Sequence, residues 1–95
     1  PLLISIDAEW GLGMRLDSTI SYPFQMTLGS LTDDSLIYEM GYQIGKECRR
    51  MGIHLNFAPV VDVNNNPNNP VINSRSFGDK PAVVAKKAAM YMKGL

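Results

Sequence analysis

The sequence predicts an α/β fold of about two βα units, with parallel strands joined by right-handed crossovers. Three observations carry that expectation. Apolar runs closed by an acid occur at Leu2–Ile6, before Asp7, and within Ile53–Val63, where Asp62 follows Val60-Val61. A stripe with the period of an α-helix lies between them, and a second helical stretch follows. Two strands give the helices' apolar stripes too little sheet to pack on, so the 95 residues read as a piece of one larger α/β domain, incomplete at both ends.

Leu2–Ile6 has the continuous apolar character of a strand buried on both faces. Residues 8–31 lack a period and contain Gly11, Gly13, Tyr22-Pro23 and Gly29, which predicts a long connection with one helical turn near Gln25–Leu28. Loops of this length inside a domain are usually functional or disordered. Asp33–Met51 is the clearest helix, with Ile37, Met40, Gly41, Ile44, Cys48 and Met51 on one stripe. Thr32 is its N-cap candidate, Asp33 and Asp34 lie at the anion-favouring end, Arg49 and Arg50 lie at the cation-favouring end, and Gly52 suits the left-handed position after it. Gly41 and Gly45 each weaken a helix by up to ~1 kcal/mol, so they imply close approach to a neighbour, taken to be the sheet. Ile53–Val63 is the second strand, interrupted at Pro59; Asn64–Asn69 is a polar connection; Asp79 is the N-cap candidate of a last helix running through Met92 and ending at Gly94.

Composition narrows the function. With 45% hydrophobic and 19% charged residues the chain is neither disordered, collagenous nor a coiled coil. Nine Lys+Arg against nine Asp+Glu leave no overall field for a phosphate backbone, so no nucleic acid partner is expected. The longest apolar run, Phe57–Val61, is far below the ~18 residues of a membrane span. The lone Cys48 makes no internal disulfide and is compatible with either redox compartment. The chain opens on Pro1-Leu2-Leu3-Ile4 without a Met or a basic leader segment, and reads as an excised piece.

In α/β sheets and barrels, chemistry gathers at the C-terminal strand ends. Asp7 and Asp62 occupy such positions, as do Glu9, Trp10 and Arg15 in the first loop and Arg75 in the second. A strand-end carboxylate accepts hydrogen bonds from neutral hydroxyls and an arginine offers a fork of donors, which together suit a sugar. The alternative is structural: such an acid caps loop amides or pairs with an arginine. Arg15 and Arg75 are either solvated charges or partners holding Asp7, and Trp10 is either a stacking platform or loop packing; spacing does not choose.

Other constellations fail. Gly11-Leu12-Gly13 lacks the third glycine of a dinucleotide fingerprint, since Leu16 stands there. His54 precedes the apolar core of its strand, at the opposite end from Asp62, so a metal centre of Asp7, Glu9, Asp62 and His54 would need a ligand on the wrong face. No zinc spacing is present. Cys48, on the apolar stripe, is a core thiol.

Four motifs together carry a resemblance. Ile6-Asp7-Ala8-Glu9-Trp10-Gly11-Leu12-Gly13-Met14-Arg15, Tyr22-Pro23, Asn56-Phe57-Ala58-Pro59-Val60-Val61-Asp62-Val63 and Arg75-Ser76-Phe77-Gly78-Asp79, in this order, resemble the N-terminal barrel of glycoside hydrolase family 3. The resemblance implies a fragment of a TIM-like (β/α)8 barrel and retaining hydrolysis of terminal β-linked sugars. The Arg75-Ser76-Phe77-Gly78 form looks like that of β-N-acetylglucosaminidases; β-glucosidase members usually have Arg-Trp-Gly-Arg. A β-glucosidase of the same family and a non-catalytic carbohydrate-binding barrel are the alternatives, and a stand-alone interaction module ranks last. By position, Asp7 is similar to the acid that binds hydroxyls in subsite −1 and Arg75 to the arginine lining it; Arg15 and Asp62 join them as substrate-binding candidates. Trp10 and Leu12 depart from the pattern, where glycine and arginine are common, which bears on the shape of the first loop and on aglycone preference. The nucleophilic Asp, a Lys-His pair and a His-Asp pair lie downstream in the family. No catalytic residue, metal or cofactor is therefore expected within the chain, its partner is an oligosaccharide or glycoside, and the isolated piece is expected to be inactive.

Overall fold

In the computed structural model, which describes residues 1–95, the elements run β1 (Ser5–Ile6), α1 (Gln25–Gly29), α2 (Ser35–Arg50), β2 (Leu55–Asn56) and α3 (Pro81–Gly94), with 3-10 turns at Leu12–Met14 and Asn73–Arg75. β1 and β2 pair in parallel, Ser5 opposite Leu55 and Ile6 opposite Asn56. The βαβα order read from the sequence is therefore present, and the helical turn in the first loop falls where expected.

The strands are much shorter than the apolar runs. Around the pairing, Ile4 O accepts from His54 N at 2.8 Å and Leu55 N at 3.2 Å, and Ile6 O accepts from Phe57 N at 3.0 Å. Leu2 and Leu3 are 82% and 77% exposed, and Leu55, Phe57 and Val61 are exposed too. The expectation of a strand buried on both faces does not hold within this chain, because each strand has only the other to pair with and the helices cover one side. His54 is tied structurally at the start of the ladder, its Nδ1 accepting from Ile4 N at 3.2 Å.

The core lies between the helices. Ile37, Met40, Ile44 and Cys48 of α2 meet Val84, Ala88 and Tyr91 of α3, with Leu12, Leu28, Ala58 and Phe77 closing the cluster. Burial raises the pKa of Cys48, so it stays a neutral thiol. Four details of the sequence reading change here. Met51 is 58% exposed, since it follows the last turn of α2 and has left the stripe. The helix is capped from outside by Asp33, whose Oδ1 accepts from Ser35 N at 3.0 Å and Ser35 Oγ at 2.5 Å, rather than by Thr32. α3 starts at Pro81 with Lys80 before it, so Asp79 is not the cap; the ring of Pro81 supplies the helical φ instead. Gly52, with φ +75°, takes the left-handed position as expected.

The fourth correction concerns Gly41 and Gly45, whose neighbour is α3 rather than the sheet. A Cβ at 41 would stand 2.5 Å from Tyr91 O, and one at 45 would stand 2.8 Å from Leu95 O, while Gly94 lies against the Tyr38 carbonyl. Glycines on both helices let the two backbones touch. Gly41→Ala gains about 1 kcal/mol of helix propensity, but overpacking against a backbone atom costs about 1–3 kcal/mol. The expected result is a net loss of up to about 2 kcal/mol, read as a lower Tm of the whole protein; a raised Tm would mean the helices separate freely.

The first loop returns to the body at Tyr22, whose hydroxyl donates to Glu47 Oε1 at 3.0 Å. Burial first, then this bond and the nearby charge of Glu47, push the tyrosine pKa up to about 12. No helix of the chain is long and apolar enough to cross a membrane.

Candidate functional site

β1 delivers Asp7, Ala8 and Glu9 to its C-terminal end, and three side chains fasten that end. Beyond the ladder the side chain of Asn56 takes the place of backbone pairing: its Oδ1 accepts from Ala8 N and Ala58 N, each at 3.1 Å, and its Nδ2 donates to Ala8 O at 3.2 Å. Tyr91 reaches up from α3 and its hydroxyl donates to Ala8 O at 3.2 Å and Glu9 O at 2.9 Å. Burial raises the pKa of that hydroxyl, so it remains a donor. The third is Met14, whose sulfur accepts from Glu9 N at 3.4 Å.

On the second strand, Gln25 from α1 clamps the segment after the cis Ala58-Pro59 bond, donating from Nε2 to Val60 O at 2.8 Å and accepting from Val60 N at 2.9 Å. Asp62 is exposed, and its carbonyl accepts from the buried Ser76 hydroxyl at 2.6 Å. Asn64 N donates to Gly78 O at 2.8 Å, so the loop closes on itself and returns Arg75 toward β1.

The two arginines divide the acids between them. Arg15 Nε donates to the Asp7 carbonyl at 3.0 Å, and its Nη2 lies 3.5 Å from Asp7 Oδ2, with both side chains about half exposed. Arg75 pairs with Glu9: Nη2 lies 2.7 Å from Oε1, and Nε lies 3.1 Å and 3.2 Å from Oε1 and Oε2. The sequence left both arginines as possible partners of Asp7; Arg15 alone takes that place. The hydrogen bonds from Arg75 to Glu9 raise the guanidinium's pKa, and the charges of Glu9, Asp62 and Asp7 add to this. Asp7 and Glu9 stand just past the end of β1, but Asp62, expected at a strand end, lies six residues beyond β2, because the ladder stops at Asn56. The Asp7 carboxylate, 58% exposed and only loosely paired, keeps lone pairs for a ligand.

Beside this group a cleft of about 100 Å³ is lined by Trp10, Phe24, Ser74 and Arg75, among others. Trp10 meets Phe24 edge-to-face, ring centroids 5.4 Å apart, so it packs the two arms of the first loop together. No three of the His, Cys, Asp and Glu side chains come together as a metal site. Asn56, Gln25 and Tyr91 are the residues whose work the sequence reading missed; it named Glu9 in the first loop but not its pairing with Arg75. Their one advance signal was polarity inside apolar stretches, as for Asn56 between Leu55 and Phe57.

Open carboxylates at parallel strand ends, with an arginine fork beside them, equip an α/β protein to recognise a ligand rich in hydroxyls. Residues 1–95 match the glycosyl hydrolase family 3 N terminal domain, and the chain belongs to that family. It is 45% identical over 91 residues to beta-hexosaminidase A of Pseudoalteromonas piscicida, covering 90% of this chain and 15% of that protein. Among solved structures, a glycoside hydrolase family 3 beta-N-acetylglucosaminidase from Paenibacillus superposes with a TM-score of 0.91 at 46% identity, over 99% of this chain and 18% of that one. Beta-glucoside phosphorylase BglX superposes with a TM-score of 0.92 at 26% identity, over 99% and 18%. The chain thus spans less than a fifth of each of these relatives.

Proposed function

We propose that residues 1–95 are part of a family 3 N-terminal TIM-like barrel in an exo-acting β-N-acetylglucosaminidase, contributing to its sugar-binding subsite −1. The observation that carries this is an open Asp7 carboxylate just past β1 together with an Arg75 fork anchored on Glu9, two residues further along the same loop. Asp7 accepts from ring hydroxyls, Arg75 donates to a ring or acetamido oxygen, Arg15 steadies Asp7 through its carbonyl, and Asp62 borders the group from beyond the second strand. The β-hexosaminidase and β-N-acetylglucosaminidase names of two relatives support the choice of sugar.

Retaining hydrolysis of a glycoside uses two groups about 5–5.5 Å apart in its usual two-carboxylate form, one attacking the anomeric carbon and one exchanging a proton with the leaving oxygen. In this reading both come from elsewhere in the whole protein, and the segment described here binds and orients the sugar they act on. The isolated 95 residues then turn nothing over.

A second reading, action on β-glucosides, is supported by the likeness to BglX. The experiment is release of p-nitrophenol from β-GlcNAc and β-glucoside substrates by the whole protein, with and without inorganic phosphate. Preference for the GlcNAc substrate without need of phosphate is expected. Preference for the glucoside overturns the choice of sugar, phosphate dependence overturns hydrolysis, and no turnover of either substrate overturns the glycosidase reading.

A further inference from the structure

We propose that Glu9 is a positioning residue for Arg75: its buried carboxylate grips the guanidinium along one edge and holds the remaining N–H pair out toward the bound sugar. The inference rests on the glycosidase reading above and adds a residue to it.

A guanidinium has five N–H groups in one plane. The Nε–H and one Nη2–H, which share an edge, go to Glu9, at 3.1 Å and 2.7 Å from Oε1. One Nη1–H is directed to Val71 O at 3.4 Å. What remains is one N–H on Nη2, on the terminal edge, and the Nη1–H that Val71 leaves free, donors for one or two oxygens of a ligand. The Arg75 side chain is 43% exposed while that of Glu9 is 9% exposed, so the outer edge is open and the gripping edge is not.

Glu9 is itself held. Its N–H is bound to the Met14 sulfur, and its carbonyl accepts from Tyr91, whose hydroxyl bridges it to Ala8. The carboxylate therefore stands at a fixed place on the end of β1, two residues from Asp7. An arginine in a loop without such a partner spends much of its time in other rotamers and loses that freedom when it binds. With Glu9 in place the loss is taken on folding, and the fork is set relative to Asp7 before the sugar arrives.

The test is a double-mutant cycle in the whole protein, read by steady-state kinetics on p-nitrophenyl β-GlcNAc with Tm measured on every variant. Glu9→Gln keeps the shape but loses the charge, and is expected to lower kcat/KM roughly 10-fold, the low end for partners that support a binding group. It should divide that loss between KM and kcat as Arg75→Ala does, and add nothing further in the Arg75→Ala background, because there is then no fork to aim. If Glu9→Gln does not fold, Glu9→Asp, which keeps the charge and withdraws the oxygens by one methylene, serves in the same cycle. An active wild type with kcat/KM within twofold for the Glu9 variant, or a full Glu9 effect in the Arg75→Ala background, overturns the positioning role alone. A wild type that turns over no glycoside overturns the glycosidase reading and this inference with it.

Discussion

Asp7→Asn in the whole protein is expected to lower kcat/KM on the β-GlcNAc substrate by about 10² or more, with Tm almost unchanged. Hydrogen bonds to a charged acceptor contribute about 1.5–3 kcal/mol each, and a loss of about 2.7 kcal/mol corresponds to two decades. An amide keeps the shape of the carboxyl but has one acceptor oxygen, no charge, and an NH₂ that faces a sugar hydroxyl with a donor. Folding scarcely feels the change. The carboxylate is 58% exposed, and its ion pair with Arg15, at 3.5 Å between half-exposed groups, is of the kind that contributes little. The firmer contact of Arg15 is to the Asp7 carbonyl, which the substitution leaves in place. If Asp7 served only to hold the loop, kcat/KM would stay near wild type.

The second large effect is on stability. Lys87 is buried in α3, and its ammonium lies 2.6 Å from Asp34 Oδ1 and 2.8 Å from Leu31 O, joining the start of α2 to α3. Lys86 also approaches Asp34, at 3.5 Å, but is 76% exposed. Lys87→Met keeps most of the stem and removes the charge, leaving a carboxylate that is 13% exposed with only the loosely held Lys86. Removing one partner of a buried pair costs about 3–5 kcal/mol, and this site at the edge of the core belongs at about 3 kcal/mol. In a domain of about 150–250 residues that lowers Tm by roughly 6–12 °C.

The pH dependence of this loss has a definite sign. The hydrogen bond from Lys87, and then the charges of Lys87 and Lys86, lower the Asp34 pKa below its ordinary value despite an opposing effect of burial. A carboxylate depressed in the folded state contributes stability that is fully present above its unfolded pKa, near ~3.9, and is lost as pH falls through the folded value. The Tm gap between wild type and Lys87→Met should therefore be full at neutral pH and narrow as the medium is taken below about 4. A gap that stays constant into acid, or that is absent at neutral pH, would sink the assignment.

The sequence by itself determined the order of elements, the amphipathic stripe of α2, the burial of Cys48, the left-handed Gly52 and the turn at α1, because each depends on residues within a few positions of one another. It also placed Asp7, Asp62 and Arg75 at one end of the fold, since parallel βα units send every loop after a strand to the same side. The four spaced motifs carried the family as well, and the match over residues 1–95 agrees.

Only the tertiary structure decided which charge meets which. Arg75 finds Glu9 across 66 positions and Lys87 finds Asp34 across 53, and no local period encodes either pairing. The same holds for the glycines, which the sequence marked as points of close approach but assigned to the wrong neighbour, the sheet. The backbone of α3, not the sheet, fills the space beside Gly41 and Gly45. Strand length is also a tertiary matter: apolar runs state what can be buried, and only a neighbouring strand supplies the backbone partners that make residues part of a ladder. Within this chain that condition is met at Ser5–Ile6 and Leu55–Asn56, after which the side chains of Asn56 and Tyr91, rather than further pairing, hold the strand end that carries Asp7 and Glu9.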